Sequence, residues 1–204
     1  MTYSDFTLDR VLQTFELTLA QERLFADVAP VTLSPWLQET LHKGRQLALV
    51  SEKARSEFLV VPVLLEIREL SENAIAIYSG QRLDVDPGRG LVGECDFVLA
   101  HAPPLPVLQS PIVTIVEAKK QDIEAGLGPC VAQMVGAQMF NQQHGYTLEA
   151  LFGCVTTGEA WQFLHLVQQA VTLDADRFYI VHMEAIMGVF QAILAQYRGK
   201  TMLQ

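Results

Sequence analysis

The sequence predicts an α/β fold with helix layers around a central sheet, and three observations carry that prediction. Hydrophobic spacing changes from a 3.6-residue period towards a two-residue period after Ser71, Glu72 and Asn73. Residues 112–116 then form a continuous apolar run of the kind that suits a strand covered on both faces. Helical segments lie on both sides of the strand candidates in the chain, which suggests α/β/α layering.

Taken in order, the first 45 residues read as helical. Thr7 or Asp5 could cap a helix bearing Leu8, Val11, Leu12 and Phe15, and Ser34-Pro35 is a helix-start signal. A longer helix is expected over 46–70, with Leu47, Ala54, Phe58, Val61 and Leu65 as its core stripe and Pro62 as a kink or break. Strands are expected at 74–78 and 82–85, with Ser79-Gly80 as the turn between them. Further strands are expected at 94–99, 112–116, 151–155, 161–167, 170–173 and 178–181. Pro129 is expected to open a helix running to about residue 143, and 184–197 reads as a closing amphipathic helix. The division is therefore an N-terminal helical extension (1–45) packed on a core domain (46–204).

Half of the 204 residues are apolar and 18% are charged, enough apolar material for a sizeable core. No apolar run approaches the roughly 18 residues of a membrane helix, and residues 1–5 lack the basic start of a secretory signal. A cytoplasmic protein is expected. Cys95, Cys130 and Cys154 are widely spaced among apolar neighbours, and the histidines show no metal-ligand spacing. Both sets read as ordinary core or surface residues.

The net charge is −9. Nine of the 14 basic residues fall within 43–120, against ten acids, so the ends of the chain carry most of the negative excess. A nonspecific nucleic-acid binder usually presents a basic face, and this chain offers none. Any contact with phosphate would fall to Lys43, Arg45, Lys53, Arg55, Arg82, Arg89, Lys119 and Lys120.

Chemistry concentrates where the apolar run 112–116 meets Glu117-Ala118-Lys119-Lys120. Alternation along a strand puts Glu117 and Lys119 on one face. A carboxylate and an ammonium at the end of an apolar strand need partners. Asp96, embedded in the apolar run around 94–99, is the natural one. If the two strands pair, Asp96 and Glu117 converge on one ion, and two hard oxygens with waters and phosphate suit Mg²⁺, with Mn²⁺ as a substitute. Lys119 beside them could orient a water and stabilise charge in phosphoryl transfer. The plainer reading is an ion pair between Glu117 and Lys119 with Asp96 at a strand edge.

Two glycine motifs carry less. Residues 88–93 spell GxGxxG but lead into a strand, where a dinucleotide fingerprint needs a helix, so a glycine-rich turn explains them. Gly126-Leu127-Gly128-Pro129 could bind an anion at a helix start but lacks the Lys-Ser/Thr of a P-loop, and reads as a flexible helix entry.

Asp96, Glu117-Ala118-Lys119 and the downstream Gln133 together resemble the PD-(D/E)XK nuclease superfamily, whose fold is restriction-endonuclease-like with a mixed central sheet. Cys95 stands where the motif's name has proline. Residues 51–64 (SEKARSEFLVVPVL) are similar to the first-helix segment of restriction-type members, including the nuclease domain of type I restriction motor subunits. The resemblance covers roughly 46–165 and is closest to small stand-alone bacterial members.

It implies a Mg²⁺-dependent nuclease acting on nucleic acid, DNA before RNA, in which Asp96 and Glu117 hold the metal. Lys119 would position the water, and Gln133 would orient Lys119 or the substrate. It further implies an acid on the first helix. Glu52 and Glu57 both qualify and lie about 140° apart on a helix; spacing to Pro62 favours Glu52, and adjacency to Ala54, Phe58 and Val61 favours Glu57. Ala137 stands where some DNA-processing members carry an aromatic. The resemblance leaves room for a homodimer. The alternative is a binding or assembly module that keeps this fold without catalysis, which the acidic charge supports.

Overall fold

A computed structural model of the chain describes residues 1–197; residues 198–204, placed above in the core domain, lie outside the described residues. Helix α1 (Leu8–Thr14) is capped by the Thr7 hydroxyl, which accepts from the Arg10 amide. Next come strand β1 (Thr18–Glu22), α2 (Pro35–Gly44), the single turn α3 (Glu52–Arg55), a π-helical turn at Ser56–Val60, and α4 (Val61–Leu70). The remaining elements are β2 (Ala76–Arg82), β3 (Glu94–Ala100), β4 (Ile112–Ala118), α5 (Ile123–Gln143), β5 (Leu151–Thr156), β6 (Ala160–Val167), β7 (Ala170–Asp174), β8 (Phe178–Tyr179) and α6 (Met183–Ala195).

The eight described strands form one mixed sheet in the order β1-β7-β6-β5-β4-β3-β2, with β8 added to the start of β6. β4 lies inside it, antiparallel to β3 and parallel to β5, and α5 makes the crossover that a parallel pair requires. Every residue of β4 is buried, as its apolar run anticipates. One core cluster joins Leu37, Leu59, Leu64, Ile67, Met187 and Phe190, from α2, α4, α6 and the π-helical turn, to the sheet side chains Phe97, Val116 and Phe163. A second cluster joins Val11 of α1 and Val131 and Met134 of α5 to Val98, Ile115 and Leu164. The chain is therefore α/β, with an apolar core on each face of the sheet.

Four expectations change. Residues 1–45 are not wholly helical, because Thr18–Glu22 pairs in parallel with β7 as an edge strand. All five of its residues are exposed, so no alternation of burial announces it. Ser79-Gly80 is no turn, since β2 runs through both and its antiparallel ladder with β3 keeps register on either side.

The helix expected over 46–70 begins only at Glu52, with the Ser51 hydroxyl accepting from the Ala54 amide. Three of the five residues of its expected core stripe also face outward, while Val61 packs partly buried against the core. Leu47 is 48%, Phe58 41% and Leu65 42% exposed, while Leu59, Val60, Val63, Leu64 and Ile67 form the core face. The near-continuous apolar run over 58–65 carries no polar face to fix its rotation, and the π-helical turn shifts its phase.

Finally, α5 starts at Ile123 rather than Pro129, with the Asp122 carboxylate accepting from the Ala125 amide. Gly126 and Gly128 are sites of close approach rather than a flexible entry. A Cβ on Gly126 would lie 2.4 Å from Val155 Cγ1, and one on Gly128 would lie 2.3 Å from the Phe6 carbonyl oxygen. The 88–93 motif forms a turn between β2 and β3 that includes a short 3₁₀ segment (Pro87–Arg89). Cys95, Cys130 and Cys154 are buried free thiols. Among the described residues, no helix is long and apolar enough to cross a membrane.

Candidate metal centre

The register of β3 on β4 ends with Phe97 opposite Val116, so Asp96 and Glu117 are the next residues of the two strands. The contact is close, for the Ala118 amide donates to Asp96 Oδ2 at 2.7 Å. Lys119, two residues beyond Glu117, follows onto the same side, and its Nζ donates to Glu117 Oε1 at 2.6 Å. From α5, Gln133 Nε2 donates to Glu117 Oε2 at 2.7 Å. The four residues singled out from the sequence thus meet at the C-terminal end of β4.

Each member sits in a distinct environment. Glu117 and Gln133 are buried, 5% and 2% exposed, and the Lys119 side chain is 23% exposed. Burial first, then the charge of Glu117, push the Asp96 carboxyl up to about 6, with the Ala118 amide and Lys119 pulling the other way. For Lys119, burial disfavours the ammonium, but the Glu117 carboxylate outweighs it and holds the group above its usual range. Gln133 Oε1 is buried with no hydrogen-bond partner.

No family model matches this chain, and no curated protein does. The residues themselves must therefore carry the functional reading.

The structure separates the two first-helix acids. Glu52 acts electrostatically on both Asp96 and Lys119. Glu57 instead pairs with Lys53 at 3.7 Å on the surface, its side chain 51% exposed. Both acids border a groove of about 400 Å³ that Asp96 also lines, together with Ser56, Ser79, Gly80 and Glu94. Gly80 keeps the β2 wall of this groove low, since its φ of +63° suits glycine and a Cβ would come within 3.2 Å of Glu94 Oε1.

Among the described residues, no three His, Cys, Asp or Glu side chains converge as a ready-made metal cage. The donors present are nonetheless hard oxygens, and three carboxylates (Asp96, Glu117, Glu52) face one ammonium. A divalent cation matches that charge and that donor type.

Sequence reasoning did not find the anchoring of this end of the sheet. Lys119 N donates to the Thr156 carbonyl at 2.8 Å, and Arg55 reaches the adjoining turn. The one available signal was Arg55 three residues after Glu52, a spacing that places both on one helix face.

Proposed function

We propose that this chain is a divalent-metal-dependent nuclease of restriction-endonuclease-like fold, hydrolysing phosphodiester bonds of nucleic acid, DNA before RNA. The observation that carries the reading is the convergence of Asp96, which accepts from the Ala118 amide, and the Glu117–Lys119 pair at the ends of neighbouring strands. The α5 crossover bearing Gln133 and the resemblance over 46–165 support it.

In this reading Asp96 and Glu117 hold Mg²⁺ or Mn²⁺, with Glu52 as a third acid. The ion, when bound, would polarise the phosphate and lower the pKa of a coordinated water. The Ala118 amide fixes the Asp96 rotamer. Gln133 holds Glu117 rather than Lys119, so its role is to orient the carboxylate. Lys119 orients the water and stabilises negative charge on the phosphate. Water adds to phosphorus, the bond to the leaving oxygen breaks, and a phosphomonoester and a free hydroxyl result.

A second reading, the non-catalytic binding or assembly module, draws on two observations. Both Glu117 oxygens already have protein partners, and the groove is lined by Glu52, Glu57, Glu94 and Asp96 against Lys53 as its one basic side chain. Incubation of plasmid DNA and labelled RNA with Mg²⁺ or Mn²⁺, with and without EDTA, separates the two. Metal-dependent, EDTA-sensitive cleavage supports the nuclease; metal binding without cleavage of any nucleic acid favours the module.

A further inference from the structure

We infer that Arg55 is the positioning residue that holds Glu52 at the metal centre, an inference that rests on the metal reading above. Glu52 stands in the first turn of a helical run that continues through the π-helical turn into α4, and none of residues 52–55 is buried. The end turn of a helix frays unless tertiary contacts hold it, and the buried residues of this run begin only at Leu59. Arg55 supplies such a contact. Its Nη1 donates to the Thr157 carbonyl at 3.2 Å and to Glu159 Oε2 at 3.2 Å, and its side chain is 16% exposed. Its Nε is buried without a partner, so the guanidinium is held there at a desolvation cost.

The acceptor is a rigid one. In the turn between β5 and β6, the Gly158 amide donates to Thr156 Oγ1 at 2.8 Å, and the Ala160 amide to Thr157 Oγ1 at 3.1 Å. Thr156 pairs with Ala118 in the β4–β5 register, and its carbonyl accepts from the Lys119 amide. The turn is therefore fixed to the same strand end that bears Glu117 and Lys119. Glu52 and Arg55 share a helix face, and Glu52 lines the groove beside Asp96. A bond from Arg55 to the turn thus sets the distance of Glu52 from the Asp96–Glu117 pair. Packing of Leu59 against Gly158, where an added Cβ would lie 2.7 Å from Leu59 Cβ, is a second tie between the turn and the segment after α3. It lets the fold survive loss of the guanidinium.

The test is a calorimetric titration of Mg²⁺ into wild type, Arg55→Ala, Arg55→Lys, Glu52→Gln and the Arg55→Ala/Glu52→Gln double variant, with the metal-free melting temperature of each. Arg55→Ala is expected to weaken Mg²⁺ affinity about tenfold, as loss of a residue supporting a ligand does. The double variant should bind no more weakly than Glu52→Gln alone, and Arg55→Lys should recover part of the loss. Unchanged affinity in both Arg55 variants overturns the inference, as does an Arg55→Ala effect that persists in full on the Glu52→Gln background. Absence of Mg²⁺ binding in wild type overturns the metal reading itself and the inference with it.

Discussion

Two glutamates buried to nearly the same degree sit in contrasting surroundings. Glu66 on α4 is 3% exposed, and Glu117 on β4 is 5% exposed. Glu66 takes hydrogen bonds from the Ser34 amide at 2.9 Å and the Ser34 hydroxyl at 2.7 Å, tying α4 to the start of α2. Both are neutral donors at the cap of a helix. Glu117 instead meets an ammonium and a carboxamide, and the Asp96 carboxylate of the neighbouring strand is held by the adjacent Ala118 amide. Burial of a carboxylate is common to both, so it does not mark function. In the proposed reading, the neighbouring acid and the adjacent ammonium do.

Substitution at the structural glutamate should produce the largest change in stability. Glu66→Ala leaves two donors of Ser34 without their acceptor and should cost about 3 kcal/mol by chemical denaturation. Any Mg²⁺-induced rise in melting temperature should survive it. Loss of that rise would mean the two regions are not independent.

Gln133→Leu should cost about 2 kcal/mol, because it removes a charge-assisted hydrogen bond to a buried carboxylate. Unlike Glu66→Ala, it should also weaken Mg²⁺ binding about tenfold, since Glu117 loses the group that orients it. Equal metal affinity in this variant and wild type would reduce Gln133 to a packing residue.

The smallest effect is a pH dependence. Asp96 titrates near 6 in the folded protein, above the roughly 3.9 of an unfolded aspartate. An acid raised in this way favours folding while protonated; that contribution is complete below about pH 4 and is lost as pH rises through 6. Metal-free wild type should therefore melt a few degrees below Asp96→Asn at pH 7, and the gap should shrink towards pH 4. Saturating Mg²⁺ should close it at pH 7 by stabilising wild type alone. A gap that ignores pH would show that burial and the Glu117 charge do not raise the Asp96 carboxyl in the folded protein.

Legibility in the sequence follows the strength of local signals. β4 could be read because a buried strand leaves an apolar run, and Glu117 and Lys119 because period-two alternation fixes their common face. Asp96 could be named, but its partner strand and register come from long-range pairing. β1 was hidden, since Thr18–Glu22 is exposed throughout and is a strand through its pairing with β7. The rotation of the segment bearing Glu52 was hidden for a different reason. Its apolar residues surround the helix, so only the packed structure decides that Leu59 faces in and Phe58 faces out. The start of α5 was misread because glycine and proline signal a helix boundary, whereas here the glycines admit Val155 and the Phe6 backbone.

The central claim is that Asp96 and Glu117 form one cation site with Lys119 as its neighbour and not its ligand. Calorimetric titration of Mg²⁺ into wild type, Asp96→Ala and Lys119→Ala tests it most directly. Wild type should bind, Asp96→Ala should lose binding, and Lys119→Ala should bind as well or more tightly, because deleting the ammonium frees Glu117 Oε1. Undiminished binding by Asp96→Ala, or no binding by wild type, would contradict the account.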